Sequence, residues 1–130
     1  MIEFVLDGRS RVSTYMQLVL QVKQALRVGL LGPGDQLPKV REVAGALAIN
    51  PNTVLKAYRE LEREGLAVGR PGQGTFIQRS LRQVTPGTYE TLRRRLQRWI
   101  VAARAAGLDD DGIMDTVRAT LRDESAEDIA

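Results

Sequence analysis

The sequence predicts a mainly α-helical protein that also contains one small β-hairpin. Apolar residues recur with the 3.6-residue period of an amphipathic helix in five separate segments. Between the third and fourth of these segments, two short β-compatible runs flank a glycine-rich stretch, a pattern typical of a hairpin. A hydrophobic content of 43% in 130 residues is sufficient for a globular domain.

A first helix is predicted over residues 13 to about 28. Ser13 or Thr14 can cap its start, and Gly29 is a residue type that commonly ends a helix. The apolar positions follow the i, i+3, i+4, i+7 rule, so one face can be buried. These positions are Tyr15, Leu18, Val19, Val22, Ala25 and Leu26.

A second, short helix is predicted from Leu37-Pro38 to about Leu47, after a loop at residues 31–35. A tight connection at residues 48–50 leads into a third helix, which Gly65 ends. Each helix has an apolar stripe that can face a core. The stripes are Val40, Val43, Ala44 and Leu47 in the second helix, and Val54, Ala57, Tyr58 and Leu61 in the third.

The third helix opens with Asn50-Pro51-Asn52-Thr53. Asn50 suits the N-cap, and Pro51 suits the first helical position because its missing N–H would be unpaired there anyway. Helix stability alone does not explain Asn52 and Thr53, since acidic residues would interact better with the positive end of the helix dipole. These two side chains therefore need another explanation.

After Gly65 the pattern indicates a hairpin, with strands at residues 66–68 and 75–77 around a basic, glycine-rich tip at residues 69–74. Residues 79–87 are typical of a linker. We therefore divide the chain into a first domain of residues 1–79 and a C-terminal part of residues 80–130.

The C-terminal part predicts two helices, at about residues 88–106 and 110–123, with Gly107 between them. Asp109 can cap the second helix, and this role is favoured over a cation site for Asp109-Asp110-Asp111 because no further ligand is evident nearby. The apolar residues are Tyr89, Leu92, Leu96, Trp99, Ile100 and Ala103 in the first helix, and Ile113, Met114, Val117 and Leu121 in the second.

Composition argues against an enzyme. The chain has no cysteine and no histidine, which removes disulfides, thiolate metal sites, the commonest general base and the commonest metal ligand. It also lacks a glycine-rich phosphate loop and a nucleophile elbow. We expect no catalytic residues, no cofactor and no metal.

The sequence also predicts a cytoplasmic protein without membrane contact. No apolar stretch approaches the roughly 20 residues that cross a bilayer. The first residues, MIEFVLDG, lack the basic region and long apolar core of a secretion signal.

Charge is distributed unevenly along the chain. Residues 1–80 contain 11 basic and 7 acidic side chains, whereas residues 81–130 contain 8 and 9. A basic N-terminal part is compatible with a polyanionic partner. The cluster of Arg93, Arg94, Arg95 and Arg98 could contact phosphate or an acidic partner, but Glu90 lies four residues before Arg94 and favours a solvated helix face.

The order of helix, tight turn, helix and glycine-tipped hairpin is typical of a winged helix-turn-helix that binds DNA. The recognition helix of this fold presents hydrogen-bonding side chains from its first turn to base edges. Here the outward side chains are Asn52, Thr53, Lys56 and Arg59. An Asn amide suits adenine, and a Thr methyl suits thymine. Each of these side chains taken singly could belong to a solvated face, but their grouping on one face favours a DNA contact. Tyr58 is assigned mainly to packing, with a hydroxyl that could reach a phosphate.

Residues 29–77 contain LP-x-x-R-E-x-A, a helix-turn spacing, ELEREGL and the G-x-G-T-F of the hairpin. Together these features resemble the DNA-binding domain of GntR-family transcription regulators, and NPNTV with KAY resembles its YtrA-type branch. The resemblance implies DNA contacts by Arg41, by the turn and first helical residues Asn50, Asn52 and Thr53, and by a wing tip at Gly72, Gln73 and Gly74.

At two positions, the DNA contact that the resemblance implies stays open. Many members of the family have Arg where this chain has Leu55, so Lys56 or Arg59 is a candidate substitute. Arg70, at the wing, either inserts into a narrow minor groove or lies on a solvated loop.

The C-terminal helices predict a homodimer. About 45 residues are too few to enclose a pocket of roughly 300 Å³ or more, which makes a small-molecule effector doubtful. A helical hairpin cannot bury both of its apolar stripes alone, so a second copy is the favoured cover, and packing on the first helix of the same subunit is the alternative. The predicted dimer residues are Leu92, Leu96, Trp99, Ile100, Ala103, Val117 and Leu121.

Together these features predict a sequence-specific transcription regulator, a repressor that binds a palindromic operator as a homodimer. A non-specific nucleoid protein and an adaptor that does not bind DNA are the rivals. The modest net charge of +3 argues against the first, and the polar first turn and basic wing argue against the second.

Overall fold

A computed structural model describes residues 2–129, with side chains through residue 125. It confirms a mainly α-helical chain with one two-stranded hairpin. The elements are α1 (Thr14–Arg27), α2 (Val40–Leu47), α3 (Pro51–Arg63), β1 (Ala67–Arg70), β2 (Gly74–Ile77), α4 (Pro86–Ala105) and α5 (Asp110–Ile129). The chain forms two compact units, which divide between Gly87 and Thr88. No helix in the described part of the chain is long and apolar enough to cross a membrane.

The first unit has its core between α1, α2 and α3, where the amphipathic stripes of the three helices meet. Eight large aliphatic side chains of this core are almost fully inaccessible to solvent, and so is Tyr58. The aliphatic ones are Leu18, Val19, Val22, Leu26, Leu37, Val54, Leu61 and Leu66.

Ion pairing and backbone hydrogen bonds connect α1 to the ends of other elements. Lys23 on α1 pairs with Glu64 at the end of α3, with Nζ 2.6 Å from Oε1. The Arg27 carbonyl accepts a 2.7 Å hydrogen bond from the Gln83 amide. The segment that follows the hairpin is therefore attached to the end of α1.

An extended N-terminal segment, which the helical periodicity does not predict, also packs on α1. Ile2, Phe4 and Leu6 alternate inward and contact the core. The Gln21 side chain accepts from the Val5 amide at 2.9 Å and donates to the Val5 carbonyl. Gln17 does the same for the backbone of Asp7. The two side-chain amides thus replace the hydrogen bonds that a neighbouring strand would make.

The helix starts differ from the predictions in two places. Ser13 occupies the N-cap of α1, but its side chain makes no capping hydrogen bond. The second helix begins at Val40 rather than at Leu37-Pro38, because this dipeptide is extended and the Leu37 amide donates to the Thr75 carbonyl of β2 at 2.9 Å. The turn between α2 and α3 contains Ala48 in the left-handed conformation, with φ at 53°.

The hairpin has a third, short partner. Its two strands pair antiparallel from Ala67 with Ile77 to Arg70 with Gly74. On the other side of β2, the Ile77 amide donates to the Asp35 carbonyl at 2.8 Å, and Gln36 forms a bridge with Phe76. The segment before α2 therefore fixes the hairpin to the helical core.

The second unit consists of two helices joined by a short turn. Gly107 adopts φ 108° in this turn, where a side chain would be strained. The Asp109 side chain accepts from the Gly112 amide at 2.8 Å, as predicted for a cap. The predicted bounds need correction: α4 already begins at Pro86, within the predicted linker, and α5 continues to Ile129 rather than to about residue 123.

Candidate nucleic-acid interface

The first turn of α3 has the capping geometry that the sequence predicts. The Asn50 side-chain oxygen accepts a 2.9 Å hydrogen bond from the Asn52 amide, and Pro51 is the first helical residue. Because this oxygen is engaged, the cap fixes the Asn50 side chain. Asn52 is exposed and Thr53 is half-buried, so both can be reached from outside the protein.

The outer face of α3 lies opposite its buried stripe. Asn52, Lys56 and Arg59 are exposed there. Lys56 is not fully free, because its Nζ lies 4.1 Å from the centroid of the Tyr15 ring on α1. Arg59 has the more open position of the two cations.

One turn later, Arg63 continues this face and pairs with Glu60. The Arg63 guanidinium donates to both carboxylate oxygens, and this hydrogen bonding lowers the pKa of Glu60 to about 2. The pair is an i, i+3 contact on the helix surface, so its contribution to stability is small.

Tyr58 corrects one expectation about this helix. Its hydroxyl donates to the Pro38 carbonyl at 2.5 Å, and the side chain is only 2% exposed. It is therefore not available to reach a phosphate. Burial, followed by the charge of Glu42, raises the pKa of this hydroxyl well above its ordinary value.

A groove between the start of α2 and the hairpin is lined by several positively charged side chains. Its volume is about 780 Å³, and Lys39, Arg41 and Arg70 are exposed along it. Arg41 is the second residue of α2, so it lies beside the positive end of a helix dipole. The groove is suited to an extended anion.

The hairpin tip is held by two contacts. The Arg70 guanidinium lies 4.5 Å from the centroid of the Phe76 ring. In the turn between the strands, the Gln73 carbonyl accepts a 2.9 Å hydrogen bond from the Gln36 side chain. Gly74 makes room for this contact, since a Cβ there would lie 2.7 Å from the Gln36 Nε2. The tip therefore has a defined position.

Gly72 provides the reversal at the tip, with φ at 72°. Gln73 is exposed next to it. Sequence reasoning misses Gln36, because a polar residue before LP gives no pattern signal, and it misses the Tyr15–Lys56 pair, because that contact joins distant parts of the chain.

Comparison with known proteins identifies the family that has this architecture. The family described as Bacterial regulatory proteins, gntR family, matches residues 14–77. The HTH-type transcriptional repressor YtrA of Bacillus subtilis (strain 168) is 35% identical over 119 residues, which are 91% of this chain and 92% of that protein. The chain belongs to the GntR family of bacterial regulatory proteins.

Solved structures agree with this assignment. The crystal structure of a transcriptional antiterminator from Listeria monocytogenes EGD-e is 31% identical, and the match spans 98% of this chain and 92% of that protein, with a TM-score of 0.57. YtrA from Sulfolobus acidocaldarius, a GntR-family transcription factor, is 32% identical over 75% of this chain and 97% of its own, with a TM-score of 0.53. The fold is thus the winged helix-turn-helix of GntR regulators.

The family assignment settles the class of function. This GntR-family chain is a transcription regulator with a DNA-binding helix-turn-helix, and its relatives are regulators rather than enzymes. The prediction of a YtrA-type regulator is confirmed.

The helical hairpin of this GntR regulator exposes an apolar face. Leu92 is 52% exposed, Leu96 48%, Trp99 38% and Leu121 60%. A cleft of about 280 Å³ lies between α4 and α5 and is lined by Leu96, Trp99, Thr116, Val117, Thr120 and Leu121. Of the other predicted dimer residues, Ile100 is half-buried and Ala103 is buried.

Proposed function

We propose that this regulator is a repressor that binds a palindromic operator as a homodimer. Residues 1–79 bind DNA, and residues 80–130 form the dimer. The polar first turn of α3 carries the proposal: its backbone is fixed by the Asn50 cap, its inner face is buried, and Asn52 and Thr53 are accessible. The transcriptional repressor YtrA, similar along most of the chain, supports the direction of control.

Bases are read from α3, and phosphates are held from α2 and the wing. Asn52 and Thr53 enter the major groove, with Arg59 next to them on the same face. Arg41 contacts the DNA from the start of α2, beside the cationic groove. At the wing, Arg70, Gly72, Gln73 and Gly74 follow the minor groove. Asn50 contributes mainly by fixing the helix start.

The dimer forms through the exposed apolar face of the helical hairpin. Four large apolar side chains on these two helices, Leu92, Leu96, Trp99 and Leu121, are 38–60% exposed, and an exposed apolar face of this kind marks an interaction site. A second copy buries this face and places two recognition helices on one duplex, which is what a palindromic site requires.

Selection of duplexes from a random pool with purified protein tests the proposal. We expect an inverted repeat whose half-site centres are separated by about 10 base pairs or a multiple of this. A half-site without an inverted repeat contradicts the dimer, and a pool without enrichment contradicts sequence-specific binding. Size-exclusion chromatography with light scattering measures the mass of the free protein, and a monomer at micromolar concentration also contradicts the dimer.

A further inference from the structure

Lys56 occupies the DNA-facing side of α3, but its charged end is directed elsewhere. It lies one turn after Asn52 on the exposed face. Its Nζ is 4.1 Å from the centroid of the Tyr15 ring, in the range of a favourable cation–π contact. Tyr15 lies near the start of α1, so the ammonium is drawn from the axis of α3 toward the neighbouring helix.

The Tyr15 ring is a fixed platform rather than a mobile one. The residue is half-buried and packs on the hydrophobic core with its own helix. The lysine side chain therefore reaches from α3 to α1, and its ammonium has three N–H donors, more than one ring face occupies.

This geometry suits phosphate better than a base. A base-reading lysine extends into the groove and donates to O6 and N7 of guanine. A lysine at the edge of the recognition helix, held by a neighbouring helix, instead lies where the DNA backbone passes, and lysine binds phosphate as a point charge.

We infer that Lys56 contacts a phosphate rather than a base, and that Tyr15 is the positioning residue that holds its ammonium there. The inference rests on the proposed function, and it revises the prediction that Lys56 takes part in sequence readout. Lys56 then contributes affinity for any duplex, whereas Asn52 and Thr53 contribute the preference for one sequence.

Lys56→Gln tests the assignment, with Asn52→Ala as the comparison. Each variant and the wild type select duplexes from the same random pool, and Kd is measured against salt for the best and for an unrelated duplex. We expect Lys56→Gln to keep the wild-type base preferences and to weaken binding to both duplexes by the same factor. The salt slope, which is the slope of the logarithm of the binding constant against the logarithm of the salt concentration, should become shallower by about 0.9 for each phosphate that the lysine neutralises. Asn52→Ala should change a base preference.

Variants of Tyr15 test the positioning role. Tyr15→Phe keeps the ring and should keep the wild-type salt slope, whereas Tyr15→Leu should show part of the reduction in slope that Lys56→Gln shows. Lys56→Arg, which preserves both the charge and the ring contact, should restore most of the affinity. Thermal melting confirms that each variant is folded, and if Tyr15→Leu is not, Lys56→Gln and Lys56→Arg still decide the assignment of Lys56.

Different results overturn different claims. A changed base preference in Lys56→Gln with an unaltered salt slope makes Lys56 a base reader and overturns the inference. Equal slopes in folded Tyr15→Phe and Tyr15→Leu overturn the positioning role alone. A wild type that binds DNA without sequence preference contradicts the proposed operator but leaves the salt comparison decisive, and a wild type that binds no duplex overturns both proposals.

Discussion

The buried hydroxyl of Tyr58 allows a quantitative test of how the recognition helix is attached to the body of the domain. It donates to the Pro38 carbonyl, just before α2, from a side chain that is 2% exposed. Tyr58→Phe keeps the ring but leaves this buried carbonyl without its donor. An unsatisfied buried group of this kind costs about 1–3 kcal/mol. For a domain of this size, each kcal/mol corresponds to a fall in Tm of about 4–8 °C.

The same hydroxyl predicts a dependence on pH. Its pKa in the folded protein is raised above the ordinary value of 10.0, chiefly by burial. Above pH 10 the unfolded chain loses this proton while the folded chain keeps it, so the free energy of unfolding falls as the pH rises. Below pH 10 the contribution is complete. The loss is at most about 1.4 kcal/mol for each pH unit between the unfolded and folded pKa values.

Urea unfolding at pH 8 and pH 11 measures both effects. The wild type should be more stable than Tyr58→Phe at pH 8, and the difference should narrow at pH 11 because only the wild type has this buried hydroxyl. Tyr15→Phe removes a hydroxyl from a half-buried ring in the same unit and serves as the matched control. An equal difference at both pH values would contradict the raised pKa of this hydroxyl, and a Tyr58→Phe variant as stable as the wild type would contradict its stabilising role.

Three further predictions concern binding and assembly. Arg41→Ala and Asn52→Ala should each weaken operator binding in a mobility-shift titration without altering mass or melting, and the loss for the base contact of Asn52 should be about 1–3 kcal/mol. Unchanged affinity in both variants contradicts the proposed interface. Leu96→Glu should place a charge in the exposed apolar cleft and yield monomers in sedimentation velocity. A variant that dimerises as strongly as the wild type would exclude this face as the dimer interface. Gln36→Ala should free the Gln73 carbonyl, speed hydrogen exchange in the hairpin tip and lower operator affinity several-fold, and unaltered exchange would show that Gln36 does not hold the tip.

The helical part of the fold could be predicted because each helix has its own apolar period. The sequence predicts the buried stripe of α3 residue by residue, and the cap at Asn50 follows from a local hydrogen bond to Asn52. Such features depend on neighbours in the chain, which a sequence displays directly.

The features that could not be predicted depend on partners that are distant in sequence. Leu37-Pro38 has the composition of a helix start, but its pairing with β2 keeps it extended. Half-buried and exposed side chains alternate along the N-terminal segment, yet the partners of its backbone are side-chain amides on α1 rather than a strand. In the site, the reach of Lys56 toward Tyr15 and of Gln36 toward Gln73 depends on the assembled core.

The crowded surface of α1 also has a consequence for how this chain tolerates change. Gln17 and Gln21 hold the N-terminal segment, Tyr15 carries the Lys56 ammonium, Lys23 pairs with Glu64, and the last turn accepts Gln83 through a carbonyl. The apolar side chains of α1 are buried in the core of the first unit. In a mutational scan, α1 should therefore be as intolerant of substitution as α3, although none of its residues belongs to the proposed DNA-binding surface.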